Sequence, residues 1–108
     1  MTLHLPKPIE VYFSSENAHD ISAVEQCFAA NAVVRDERQT IRGLDAIRAW
    51  RTETAEKYSH TVEPIAMSTR DGRMIVRAKV TGTFPGSPIE LDHIFELDAD
   101  RIMTLEIR

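Results

Sequence analysis

A single cysteine, Cys27, stands in the 108 residues of this chain, so no intramolecular disulfide can form, which fits a reducing compartment. Cys27 also falls on the apolar side of a predicted helix, which argues against a bridge between chains. The four glycines build no phosphate-cradling loop, and Gly82-Thr-Phe-Pro-Gly86 reads as turn chemistry. No Gly-x-Ser-x-Gly elbow and no Cys–His arrangement for nucleophilic catalysis is present. Basic runs are missing too. The 13 Lys and Arg are scattered against 17 Asp and Glu, and a net charge of -4 excludes the concentrated basic surface that nucleic acid requires. The histidines lack the close spacing and second carboxylate of a metal site. No apolar run approaches the roughly 20 residues needed to span a bilayer. The opening Met-Thr-Leu-His-Leu-Pro-Lys-Pro lacks the basic start and apolar centre of a signal peptide. These absences leave one cytoplasmic domain over residues 1–108, with neither nucleic acid nor membrane as partner. Its 43% hydrophobic and 28% charged residues suffice for a core without metal or disulfide support.

What is present is a change of period along the chain. Pro6 and Pro8 can open a helix, and Ile9, Tyr12, Phe13 and Glu16 then share one helical face. Asn17-Ala-His-Asp20 ends it. Asp20 and Ser22 compete to cap a second helix, Ser22 and Glu25 having capping-box spacing, with Ile21, Val24, Cys27 and Phe28 as its stripe. Asn31 closes it before a strand from Ala32 to Glu37. Gly43 precedes a third helix, Leu44 to about Tyr58, with Leu44, Ile47, Arg51, Ala55 and Tyr58 on one face and Trp50 beside them. Beyond it, Met74, Val76, Ala78, Val80, Gly82 and Phe84 alternate with more polar residues, the mark of a half-buried strand. Arg70-Asp-Gly-Arg73 is a hairpin signal before that strand, and Pro85-Gly-Ser-Pro88 turns it into Ile89 to Leu97. The turn Asp98-Ala-Asp100 leads to a last strand from Arg101. Helices can cover only one face of this meander. The other carries Ile75, with Met103 and Leu105 as further candidates, and such a face predicts a homodimer through the sheet.

Few residues could do chemistry. Period two places Asp36 with Ala32 and Val34, where desolvation would raise its pKa into the range of a general base. The alternative is a strand-end carboxylate facing solvent or paired with Arg35, Arg38 or Arg42. Tyr12 is either a buried structural tyrosine or a phenol donating to a developing oxyanion. In Leu91-Asp-His-Ile-Phe-Glu-Leu97, alternation sets His93 inward with Leu91, Phe95 and Leu97, and leaves Asp92 outward with Glu90 and Glu96. His93 is then a core histidine or a titrating group of the pocket. His60 opens the strand after the third helix, with Val62 and Ala66 as alternation partners, and could line the same cavity. His4 and His19 lie in a tail and a turn.

The order helix, helix, strand, helix, strand meander resembles the NTF2-like (cystatin-like) superfamily and its SnoaL-like members over essentially the whole chain. The resemblance is carried by Tyr12, Asn17-Ala-His-Asp20, Phe28-Ala-Ala-Asn-Ala-Val-Val34, Gly43 and Phe95-Glu-Leu-Asp-Ala-Asp-Arg-Ile102. It implies an α+β cone, three N-terminal helices on a curved antiparallel sheet. It says less of activity, since the fold hosts isomerases, cyclases, dehydratases, hydrolases and non-catalytic binders. The first half is similar to ketosteroid isomerase: Tyr12 falls where that family keeps its oxyanion-hole tyrosine, Asp36 where it keeps its base, and Asp92-His93 matches an Asp-His pair on a late strand. The turn after Leu97 is shorter here, which moves His93 rather than Asp92 onto the oxyanion position, and Arg35, Glu37 and Arg38 make the surroundings of Asp36 too charged for a steroid. A pocket with Tyr12, Asp36, His60 and His93 is also similar to the dehydratase branch.

The expectation is therefore a pocket for a small apolar or carbonyl compound, without cofactor or metal. Asp36 and Tyr12 would act with His93, or with Asp92 in the other register. Trp50, His60, Phe84 and Phe95 would line the walls. The reaction would be an isomerisation, cyclisation or dehydration through an enolate. The alternative is a non-catalytic module for binding an apolar ligand or for dimerisation.

Overall fold

The computed structural model describes residues 4–36 and 38–108, and every side chain among them but that of Tyr58. Glu37, at the end of the expected first strand, and the Tyr58 side chain, on the expected stripe of the third helix, lie outside that description. Helix α1 (Lys7–Ala18) is capped by Pro6 and carries Pro8 in its first turn. It ends where His19 enters the left-handed region at φ 55°, with the Asp20 amide donating to the Ser15 carbonyl at 2.9 Å. Asp20, not Ser22, caps the next helical turn, accepting a bond from the Ser22 amide at 3.1 Å.

The second helix is shorter than the sequence suggests. A 3₁₀ turn at Ile21–Ala23 leads into α2 (Val24–Cys27), and Phe28 is already extended at φ -100°, ψ 142°. Phe28 thus starts strand β1 (Phe28–Asp36), and Asn31 lies within that strand instead of closing a helix. The Phe28-Ala-Ala segment is a fair helix former, but pairing Phe28 with Ile102 overrides that weak local preference. A strand β2 (Gln39–Arg42) folds back on β1, with Asp36 opposite Gln39 and Arg38 in the left-handed region at φ 68°. No Gly or Asn marks this hairpin, so the sequence did not announce it. After α3 (Leu44–Tyr58) come β3 (Thr61–Arg70), β4 (Arg73–Thr81), β5 (Ile89–Asp98) and β6 (Arg101–Ile107).

Among the described residues these strands form one six-stranded sheet in the order β2-β1-β6-β5-β4-β3. It is antiparallel except where β1 runs parallel to β6, a correction to the all-antiparallel expectation. The helices lie against one face. Ile9, Tyr12, Phe13, Val24, Cys27 and Ile47 on the helix side meet Val34, Val76, Ala78, Phe95, Ile102 and Leu105 on the sheet side. Leu105, expected on the outward face, is instead 1% exposed. One extra residue in β6 between the pairs Leu97–Ile102 and Glu96–Thr104 brings Ile102 and Leu105 to the same side. A second irregularity, between Pro64 and Ala66, sets Ala66 opposite outward Arg77, so Ala66 does not go inward with Val62.

On the outward face Ile75 and Ile94 sit half-buried among ion pairs, Arg73 with Glu96 and Arg77 with both Glu90 and Asp92. That face is more polar than simple alternation implies. No helix among the described residues is long and apolar enough to cross a membrane.

One contact joins α1 to the far edge of the sheet. The Asn17 side chain donates to the Val62 carbonyl at 2.8 Å and accepts from the Val62 amide at 2.7 Å, standing in for a strand that the edge of β3 lacks. Removing it leaves both backbone groups of Val62 unpaired. Asn17→Ala should cost about 1–2 kcal/mol, whereas Ser14→Ala, which loses only an exposed bond within α1, should stay within about 0.5 kcal/mol of wild type. Urea unfolding of the two variants checks this, and equal midpoints would contradict the role given to Asn17.

Candidate active site

The helices leave a cavity of about 410 Å³ against the concave face of the sheet. Most of its wall is apolar: Val62, Val80, Phe84, Pro85, Ile89, Leu91 and Ile107, with Trp50 and Thr54 from α3. Four titratable side chains interrupt that wall, Glu16, Asp36, His60 and His93. A largely apolar pocket with a few convergent polar groups is the form that small-molecule sites take.

Asp36 arrives through period two. Ala32 and Val34 are buried on the same side of β1, and Asp36 continues that side, half-buried at the end of the strand. The Trp50 indole N–H donates to its Oδ2 at 3.0 Å, fixing the carboxylate in the wall. His93 arrives the same way on β5. It is 2% exposed, its ring 5.2 Å from that of Phe13 and 6.2 Å from that of Tyr12. Burial pushes its pKa below the ordinary 6.5 against the opposing charge of Glu16, so the ring is neutral at neutral pH. Asp92 points the other way and binds Arg77 at 3.1 Å on the outward face.

Two of the expected site residues, the oxyanion donor Tyr12 and the wall residue Phe95, do not reach the cavity. Tyr12 and Phe95 are wholly buried in the core and neither lines the cavity. Tyr12 sits one turn before Glu16 on the same face of α1, and it is Glu16 that reaches the wall. The Tyr12 ring lies edge-on to Phe13, Phe28 and Phe95, with the Arg51 guanidinium over it at 5.0 Å. Burial, reinforced by the Glu16 charge, raises its hydroxyl well above the usual tyrosine value, so it stays a protonated donor.

Glu16 is the site residue that sequence reasoning missed. Its Oε1 lies 2.7 Å from His60 Nε2, and the two side chains are 11% and 6% exposed. Burial alone would push the Glu16 carboxyl up. The bond to His60 and the charges of Arg51, His60 and His93 outweigh that and hold it below the ordinary 4.5. A carboxylate can only accept, so His60 Nε2 carries the hydrogen of this bond. Arg51, only 4% exposed, donates to Ser15 Oγ at 3.3 Å behind the wall. The buried atoms Tyr12 Oη, Glu16 Oε2, Arg51 Nη1 and His93 Nδ1 make no well-formed hydrogen bond among the described residues, although the Tyr12 hydroxyl lies against the Glu16 carboxylate and the His93 ring against the Leu91 backbone. A signal was present in the sequence: Glu16 and Arg51 each stand on the apolar stripe of a helix, where a charge needs a reason. Among the described residues no group of three or more His, Cys, Asp or Glu is placed to hold a metal ion.

Known proteins share this fold. The model of the SnoaL-like domain matches residues 9–104. A protein from Sinorhizobium meliloti, solved as a proposed polyketide cyclase, is 36% identical, with 96% of this chain covering 95% of that one at a TM-score of 0.92. Two others share the fold at lower identity. One is a hypothetical protein with a ketosteroid isomerase-like fold from Catenulispora acidiphila, solved with trimethylamine (15% identity, TM-score 0.82, 97% of this chain on 86% of that one). The other is SalBIII, an epoxide hydrolase/cyclase-like enzyme of pyran ring formation in the polyether salinomycin (21% identity, TM-score 0.78, 94% on 88%). No curated protein sequence matches the chain. A domain model spanning nearly all of the chain and a relative above 30% identity along its length agree with each other: the chain belongs to the family of SnoaL-like domains.

Proposed function

We propose that the protein is a cofactor-independent acid/base enzyme that removes a proton beside the carbonyl of a small compound, leading to isomerisation, cyclisation or dehydration. The observation that carries this reading is Asp36, a carboxylate fixed by Trp50 in a largely apolar wall that also holds His93. The similarity to a proposed polyketide cyclase supports the same class of chemistry. Asp36 takes the carbon-bound proton. His93, neutral and close to the ring of Tyr12, hydrogen-bonds the oxygen on which charge collects. Tyr12 acts from behind the wall, packing against His93 instead of touching the ligand. The aromatic and aliphatic wall, Trp50 and Phe84 included, keeps water from competing with these bonds. The same proposal includes a homodimer through the outward sheet face, with Ile75 and Ile94 between the ion-paired rows; a monomer by light scattering at micromolar concentration would overturn that part.

Solvent deuterium incorporation into cyclic ketones and β-dicarbonyl compounds tests the reaction. Asp36→Asn should slow exchange by about 10²–10⁴-fold while leaving ligand affinity and the fold in place. Equal exchange by both proteins on every compound that binds would remove Asp36 as the base and leave the alternative, a module that binds an apolar ligand.

The protonation states also set an acid limit. Glu16 and His93 both hold protons more weakly in the folded protein than at their ordinary values of 4.5 and 6.5. The unfolded chain therefore binds more protons below those values, and stability falls as pH falls. The His93 contribution is complete above 6.5 and is lost below it; the Glu16 contribution is lost below 4.5. Urea midpoints should drop in two stages from neutral pH into the carboxylate range. In His93→Phe the first stage should shrink, and a profile unchanged by that substitution would contradict the assignment.

A further inference from the structure

Asp36, Ile107 and His93 stand in one row across three neighbouring strands. Asp92 and Arg108 exchange both of their backbone hydrogen bonds, at 2.9 and 3.0 Å. The next pair inward, His93 with Ile107, is therefore a non-hydrogen-bonded one, the kind in which facing side chains come closest and the Cα atoms lie about 4.5 Å apart. On the other side of β6, Arg35 of β1 pairs with Glu106 in parallel. Parallel strands advance together, so the residues that follow, Asp36 and Ile107, come side by side. All three side chains line the cavity. Strand spacing sets the backbones of Asp36 and His93 roughly 9–10 Å apart, with Ile107 between them. Beyond His93 the row runs into Val76, which is wholly buried. The cavity continues instead along β5, past Leu91 and Ile89, toward Phe84 and Pro85 in the connection from β4.

We infer that Ile107 is the specificity-determining residue of this site: it forms the floor under the reacting carbon and restricts the cavity to carbonyl compounds in which that carbon is an unbranched methylene. This rests on the reading of Asp36 as the base and His93 as the partner of the carbonyl oxygen. A ligand that meets both must lay its reacting carbon and its carbonyl over the residue that separates them. Isoleucine is branched at Cβ and stiff at χ1, so it does not swing aside for a substituent as an unbranched side chain would. Its close approach to His93 on the neighbouring strand removes what freedom is left. A substituent on the reacting carbon therefore meets Ile107, whereas the body of the ligand extends along β5, where Leu91, Ile89, Val80, Phe84 and Pro85 offer apolar surface.

Two probes test this: α-tetralone, and its derivative with two methyl groups on the ring carbon beside the carbonyl. The derivative carries a methyl on each face of that carbon and has no proton there to lose. One carbon too many in an apolar pocket changes recognition by about 10–200-fold, so calorimetry on the wild-type protein should show α-tetralone binding at least about tenfold tighter than the dimethyl compound. Ile107→Ala should bring the two within a few fold or reverse their order. Ile107→Val, the conservative change, should fall between, and circular dichroism reports whether each variant folds. Leu91→Ala enlarges the same cavity one step along β5 and should keep the preference. Equal affinities in wild type, binding of neither compound, a preference that survives intact in both folded Ile107 variants, or an equal relaxation in Leu91→Ala would overturn the inference. Deuterium exchange into α-tetralone separates it from the reading on which it rests. Asp36→Asn should lose the exchange and keep the binding preference. A wild-type protein that shows the preference without any exchange would remove Asp36 as the base while supporting Ile107 as the selector.

Discussion

At the last turn of α1, Glu16 and Asn17 reach across to His60 and Val62 at the beginning of β3. β3 is an edge strand of the sheet, hydrogen-bonded among the described residues to β4 on one side only, so the start of this strand has no second described strand to set its direction. Asn17 supplies a donor and an acceptor in its place. The His60–Glu16 bond, just ahead of β3, then has its geometry fixed from both sides. The cavity depends on this closure, since Glu16, His60 and Val62 are all part of its wall. A change in the angle of α1 would move the carboxylate away from the imidazole and open the enclosure together, which is why the polar bonds here matter more than their few kcal/mol suggest.

The sequence was most legible where a strict period of two met a face buried on one side only. Val76, Ala78 and Val80 are buried as alternation requires. The same rule separates His93 from Asp92 on β5 and sends Asp92 outward to its ion pair with Arg77. The rule fails where the chain inserts a residue. The irregularities in β6 and β3 move Leu105 inward and Ala66 outward; Pro64 is a signal for the one in β3, whereas no residue type near Met103 marks the one in β6. The β1–β2 hairpin is invisible for a related reason, because its turn uses Arg38 at positive φ where a Gly or Asn would have signalled it. Helix α2 is shorter than expected because local propensity favours Phe28 and Ala29 as helix, while a partner more than 70 residues away, Ile102, fixes Phe28 as strand.

The site was half legible, and the missing half has one cause. Asp36, His93, His60, Trp50 and Phe84 are polar or aromatic side chains that share a face with apolar ones, and all five line the cavity. The helices carry the same kind of anomaly. Ile9, Tyr12, Phe13 and Glu16 form one stripe, and the carboxylate at its end is as out of place there as Asp36 is on β1. Arg51 between Ile47 and Ala55 is the matching anomaly on α3. A phenol suits an oxyanion, which makes Tyr12 the natural candidate on α1, yet the helical geometry gives the deeper position to Tyr12 and the wall to Glu16, one turn on.

The buried polar atoms without a well-formed hydrogen bond, on Tyr12, Glu16, Arg51 and His93, bear on why this core is not simply apolar. An atom of this kind left wholly without a partner would cost about 1–3 kcal/mol, a large share of a domain's total stability of roughly 5–15 kcal/mol. Replacing the set with packed aliphatic residues would be the more stable solution. The surrounding core therefore has to over-determine the geometry, and it does so with the ring cluster of Tyr12, Phe13, Phe28 and Phe95, whose members lie edge-on to one another at 5.1–5.9 Å. That cluster fixes the Tyr12 ring against both Arg51 and His93, and Arg51 in turn helps keep Glu16 ionised. Local inconsistency of this kind is expected where a fold has been bent to chemistry. The rigid rings and the costly polar atoms are thus two sides of one arrangement: packing supplies the stability that lets unmatched groups stay buried at the wall of the cavity.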